Sequence, residues 1–152
     1  MNQPAGYKTP ISVLVVVHTL GGEVLLLERV APSGFWQSVT GSLEAGETPE
    51  QAARRELEEE TGLPASAGEF RDHQHSVRFP ILPAWRHRYA PDALENTEHW
   101  FSLRLPRRLP VQLSAKEHRN FHWLPWRDAA AQATSWTNRD AILALGADLD
   151  TS

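Results

Sequence analysis

Between Gly41 and Leu63 the chain reads GSLEAGETPEQAARRELEEETGL, and the rest of the sequence is best read outward from this stretch. Its punctuation predicts one helix, from about Pro49 to Glu60. Thr48-Pro49-Glu50-Gln51 has the form of a capping box: Thr48 caps, Pro49 takes the first helical position, and Gln51 can reach back to the cap. Gly62 supplies the left-handed residue on which helices commonly end. At 100° per residue, Glu56 and Glu60 lie one turn apart on one side, with Glu59 alongside. Ala53 and Leu57 form the neighbouring apolar stripe. The carboxylates therefore line the margin of the buried face, where a cleft can form.

Glu56, Glu58, Glu59 and Glu60 place four like charges within one stretch of helix, which destabilises it. They also sit near the helix C-terminus, where the macrodipole disfavours anions. A hard divalent cation resolves the conflict, since Mg²⁺ takes a few carboxylates together with waters and substrate phosphates. Standing alone, such a run reads as a solvated face laced to Arg54 and Arg55. Its surroundings overturn that reading. The segment fits Gly-x5-Glu-x7-Arg-Glu-aliphatic-x-Glu-Glu-x-Gly-aliphatic in full, through Gly41, Glu47, Arg55, Glu56, Leu57, Glu59, Glu60, Gly62 and Leu63. With ordinary residue frequencies, a chance match is on the order of 10⁻⁸.

This pattern resembles the Nudix box, and the chain is identified as similar to the Nudix hydrolases. The resemblance implies an α/β fold, an α/β/α sandwich around a central mixed β-sheet. It implies hydrolysis of a nucleoside diphosphate linked to another moiety, or of a similar compound. It also implies that Glu56, Glu59 and Glu60 hold Mg²⁺, with Mn²⁺ as a substitute, and that Arg55 orients them. These four are the catalytic candidates. Family members draw their general base from different positions, so the box does not name one here. Thr40-Gly41-Ser42 stands where many members have Pro-Gly-Gly.

Outward from the box, β-branched Ile11 to Val17 reads as a central strand. Gly21-Gly22 reads as a turn, and Glu23 to Arg29 as the hairpin partner. A loop at Pro32-Ser33-Gly34 leads into one short strand from Phe35 to Thr40. Gly68 to Arg78 reads as extended, Ile81 to Ala93 as irregular or a hairpin, and Glu98 to Leu105 and His118 to Leu124 as strands. Asn138 to Leu145 reads as a second helix. Strands interleaved with two helices predict a mixed sheet covered by helices. No repeat or linker divides the chain, so residues 1–152 read as one domain.

Stretches outside the box narrow the substrate. YKTPISVLVV at 7–16, FWQSVTGS at 35–42, RHRYAP at 86–91, NTEHWF at 96–101 and SWTNRDAI at 135–142 resemble the bacterial Nudix branch that acts on dihydroneopterin triphosphate in folate biosynthesis. That likeness implies release of pyrophosphate from a pterin triphosphate. It implies substrate contacts at Lys8, Arg29, Thr40 and Ser135, with Phe79 to Leu82 nearby, and a further metal ligand at Glu117. Each has a plainer reading: Lys8 solvated, Arg29 in an ion pair, Thr40 a strand residue, Ser135 a helix cap, Glu117 exposed in a charged loop. Trp100 and Trp123 alternate like core residues, while Trp36 and Trp136 fall in the distinguishing motifs. His73, His75 and His87, among Arg78, Arg86 and Arg88, have no compact zinc spacing and read as a polar or substrate-facing basic edge.

Bulk properties by themselves predict a soluble single domain and nothing more. The 152 residues are 41% hydrophobic and 22% charged, an ordinary globular balance. A net charge of -4 argues against nucleic acid as a general partner. Absence of cysteine excludes disulfides and thiolate metal sites and favours a cytoplasmic setting. The opening MNQPAGYKTP lacks the order of a signal peptide, and the longest apolar run is too short to span a membrane. Nothing in the sequence reports oligomeric state. Two other readings share these features: a broader nucleoside triphosphate pyrophosphohydrolase, acting on dATP or an oxidised nucleotide, and a Nudix module kept only for binding.

Overall fold

The computed structural model describes residues 6–151, so the first half of the opening decapeptide lies outside the described residues. Strand β1, Ile11–Thr19, is its axis. Its apolar run is buried on both faces, as expected of a central strand covered on two sides. Val13, Val15 and Val17 face one core, and Leu14 and Val16 face the other. β1 runs parallel to β6, Glu95–Leu105, in unbroken register from Ile11↔Thr97 to Thr19↔Leu105. The predicted hairpin forms: β2, Glu23–Arg29, returns antiparallel through His18↔Val24. The remaining pairings are also antiparallel, so the sheet is mixed.

The expected single strand at Phe35 to Thr40 is instead two. β3, Trp36–Gln37, pairs with β2, whereas β4, Val39–Ser42, pairs with β1. Ser38 between them is anchored from the far end of the chain. Its N–H donates to Asn138 Oδ1 at 2.7 Å, and Asn138 Nδ2 donates to Ser38 Oγ at 2.9 Å, all within buried surroundings. Local alternation cannot show that two neighbouring segments choose different partners. β5, Glu69–Pro80, lines the outer edge of β6, with a register shift between Asp72 and Ser76 where Gln74 takes φ 51°. β7, His118–Pro125, extends β2 on the other side.

Helix α1, Pro49–Thr61, forms as its punctuation predicts. Thr48 Oγ1 accepts from the Gln51 N–H, Gln51 Oε1 accepts from the Thr48 N–H, and Gly62 ends the helix at φ 76°. Such a cap is worth about 1 kcal/mol. Ala52, Ala53 and Leu57 are fully buried against β1, β2 and β4, and burying Leu57 contributes roughly 2 kcal/mol. The opposite face carries two helices, so among the described residues the expected total of two is corrected to three. α2, Trp126–Gln132, follows β7 directly, and α3, Trp136–Thr151, packs beside it. α2 is short, follows Pro125 and buries only two alanines fully, which leaves little periodic signal in the sequence. Its Ala129 and Ala130 join Ala141 and Ile142 of α3 over Leu14, Val24 and Leu26. The layers are therefore α/β/α. No helix among the described residues is long and apolar enough to cross a membrane.

Candidate active site

Docking Ala53 and Leu57 onto the sheet turns Glu56 and Glu60 toward β4. A Cβ at Gly41 would collide with the Glu56 carboxyl group, so the glycine lets this side chain lie against the strand. Beside it, Arg55 acts as a hub. Its Nε donates to Glu47 Oε2 at 2.6 Å and its Nη2 to Glu47 Oε1 at 2.9 Å, a bidentate pair. Nη1 donates to Glu56 Oε1 at 2.7 Å and Glu59 Oε2 at 3.2 Å, and Nη2 also reaches the Ser42 carbonyl at 3.1 Å. Donating these hydrogen bonds to Glu47 raises the Arg55 pKa, and accepting them holds Glu47 below its ordinary value. Four separated box positions are thereby locked into one arrangement.

Glu60 is left unsatisfied. It is 1% exposed, and among the described residues no donor meets either carboxylate oxygen with full hydrogen-bond geometry. Burial, then the neighbouring Glu56 and Glu117, pushes its pKa well above the usual carboxylate range, with the Thr40 backbone pulling the other way. Glu117, at the end of the loop before β7, is brought beside it. Ligand atoms of Glu60, Glu117 and His118 all lie within 4.8 Å of one another. Partial desolvation, then Glu56 and Glu59, raises the Glu117 pKa.

His118 was missed by sequence reasoning, although it directly follows Glu117. It is buried, its Nε2 is 3.6 Å from Glu60 Oε1, and Gln37 Nε2 lies 3.2 Å from the same nitrogen. Burial, then Arg29, lowers its pKa to about 4, so it is neutral near pH 7 and supplies no countercharge. A buried carboxylate without well-placed donors, beside two others, fits a hard divalent cation. Glu59 is drawn instead toward Arg55 and solvent, with its side chain half exposed.

The predicted cations gather around this acidic centre. Arg29 donates from Nε to the Ala31 carbonyl at 3.0 Å, and its guanidinium stacks 5.2 Å from the Trp85 ring. Partial desolvation, then Arg88, lowers the pKa of both Arg29 and Lys8, with Arg29 adding to the effect on Lys8. Glu117 pulls upward on both, Glu60 on Arg29 and Glu56 on Lys8, so cations and carboxylates face each other. Thr40 is half-buried in β4 opposite Leu14. Ser135 caps α3, its Oγ accepting from the Asn138 N–H at 3.2 Å. The Thr40 backbone adjoins the Glu60 carboxyl, whereas Ser135 contacts none of the carboxylates among the described residues. Trp36 is core, stacked on His122 at 4.4 Å, whereas Trp136 is half exposed and meets Phe79 edge-on at 6.4 Å. Of the basic edge, His73 bonds Ser102 Oγ at 2.7 Å and His75 packs on Trp100 at 4.6 Å.

Box geometry, layered fold and the family model agree: the NUDIX domain model matches residues 8–145, and the chain belongs to that family. Among its relatives, dihydroneopterin triphosphate diphosphatase of Escherichia coli K12 is 46% identical over 139 residues, covering 90% of this chain and 91% of the relative. The Haemophilus influenzae protein of the same name is 40% identical over 139 residues, covering 90% and 87%. The solved structure of the E. coli dihydroneopterin triphosphate pyrophosphohydrolase superposes with a TM-score of 0.87 at 43% identity, covering 93% of this chain and 98% of that one.

Proposed function

We propose that this chain is a Mg²⁺-dependent pyrophosphohydrolase of the cytoplasm, a single domain converting dihydroneopterin triphosphate and water to dihydroneopterin monophosphate and pyrophosphate. The observation that carries this reading is the 46% identity to the E. coli enzyme along nine-tenths of both chains. Likeness of that extent reaches the stretches outside the box, where substrate choice resides.

Glu56, Glu60 and Glu117 are the residues that would hold the cation, with Glu59 at the margin. Mn²⁺ is a compatible substitute, since the donors are carboxylate oxygens. Such a cation neutralises phosphoryl oxygens and lowers the pKa of an attacking water. Arg55 keeps Glu56 and Glu59 aimed through its hydrogen bonds. Lys8 and Arg29 meet the charge of the polyphosphate, and Thr40 and Ser135 flank the substrate as polar contacts.

The test is Mg²⁺-dependent pyrophosphate release, comparing dihydroneopterin triphosphate with the common nucleoside triphosphates. A higher kcat/KM on the pterin supports the reading. A higher value on a nucleotide overturns the substrate, and no hydrolysis of any triphosphate leaves a binding module.

A further inference from the structure

The segment between β5 and β6 was expected to be irregular or a hairpin, and part of it forms a 3₁₀ turn, Pro83–Arg88. Its last residues are basic: Arg86, His87 and Arg88. The turn is held against the site from several directions. The Lys8 N–H donates to the Arg88 carbonyl at 2.8 Å, and the Ile81 N–H donates to the Leu94 carbonyl at 3.0 Å. Trp85 packs on Phe35 at 5.6 Å between ring centroids and beneath the Arg29 guanidinium at 5.2 Å. The following Tyr89 side chain hydrogen-bonds with Ser42, the residue after the first glycine of the box.

This anchoring sets Arg88 beside Lys8 through the backbone, and its charge acts on both Lys8 and Arg29, the two cations proposed above to meet substrate. Among the described residues, none of the three forms an ion pair with a carboxylate, and the Arg29 Nε is spent on a backbone carbonyl. Three like charges held together without a counterion repel one another. The carboxylates facing them, Glu56, Glu60 and Glu117, are an equally crowded cluster of opposite sign. A metal–polyphosphate fits between two such clusters: its cation meets the carboxylates and its oxygens meet the basic side chains.

We propose that Arg88 is a third polyphosphate-binding cation, forming with Lys8 and Arg29 a cradle for the phosphate chain, and that Trp85 holds Arg29 in place within it. The inference rests on the triphosphate reading above but not on the pterin. A guanidinium matches phosphate oxygens in bidentate fashion, which a lysine ammonium cannot.

The experiment uses Arg88→Ala and Arg88→Lys in the full chain. It reads KM and kcat on dihydroneopterin triphosphate, and the Kd of inorganic tripolyphosphate with Mg²⁺ by calorimetry. Loss of a charged hydrogen-bond partner predicts about a tenfold rise in both KM and Kd for Arg88→Ala, with kcat changed less than about threefold. Arg88→Lys recovers part of each, and thermal melting reports that both variants fold. Tripolyphosphate affinity within about twofold of the parent in Arg88→Ala overturns the assignment. If the parent protein fails to hydrolyse the pterin, the substrate reading falls, while the tripolyphosphate measurement still decides the role of Arg88.

Discussion

The Arg55 guanidinium holds both oxygens of the Glu47 carboxylate, at 2.6 and 2.9 Å, while its third nitrogen reaches Glu56. Glu47 precedes the helix and Arg55 lies within it, so one side chain joins the loop to the metal-facing surface. Replacing Arg55 with Lys leaves the charge but removes the fork. Expected is a loss of stability of about 1–3 kcal/mol in urea titration, with a fall in kcat. A lysine variant equal to the parent in both would show that the fork is dispensable.

Glu60→Gln tests the centre directly. It keeps the shape of the side chain and removes the charge that a cation needs. Pyrophosphate release should fall by roughly 100-fold or more while the melting temperature without metal holds or rises, since a buried charge has gone. Near-normal turnover would remove Glu60 from the metal site.

Stability without metal should depend on pH through the same residue. Its folded pKa lies above the ordinary value, so the folded state binds the extra proton. That contribution is complete below the unfolded pKa of about 4.5 and is lost as pH rises through the folded value. Mg²⁺ should therefore raise the melting temperature more at pH 8 than at pH 5. Equal shifts at the two pH values would contradict this.

His18 acts in the opposite sense. Burial, then Arg104 and His73, depresses its pKa to about 4, and its Nδ1 has no hydrogen-bond partner among the described residues. Stability from its neutral form is present above pH 6.5 and is lost as pH falls toward 4. In His18→Gln that acid limb should shrink by on the order of 2–3 kcal/mol. An unchanged limb in acid unfolding would assign it to other groups.

The Ser38–Asn138 pair gives a purely structural test. Asn138→Ala leaves a buried N–H and hydroxyl without partners, and should cost about 1–3 kcal/mol in chemical denaturation. A change below about 0.5 kcal/mol would mean that water replaces the amide.

That pair also explains what the sequence left hidden. Caps, glycines and apolar stripes are local, so β1, β2 and α1 were legible, and so was the box. The break at Ser38 depends on a residue one hundred positions away, and α2 on a patch too small to leave a period. Within the site, Glu117 was reached through family likeness, whereas His118 looked like an ordinary strand residue. Its role appears only once β7 lies beside β2 and carries it to Gln37 and Glu60.

The contact between Gly41 and Glu56 bears on how such a sequence drifts. Any side chain at 41 intrudes on the carboxyl at 56, and a shorter residue at 56 would not need the opening that glycine leaves. A lineage that abandons hydrolysis can release both positions together, while one that keeps it can release neither. Genes that have lost this chemistry should therefore show paired substitutions at these two sites, a mark of relaxed selection readable before any assay.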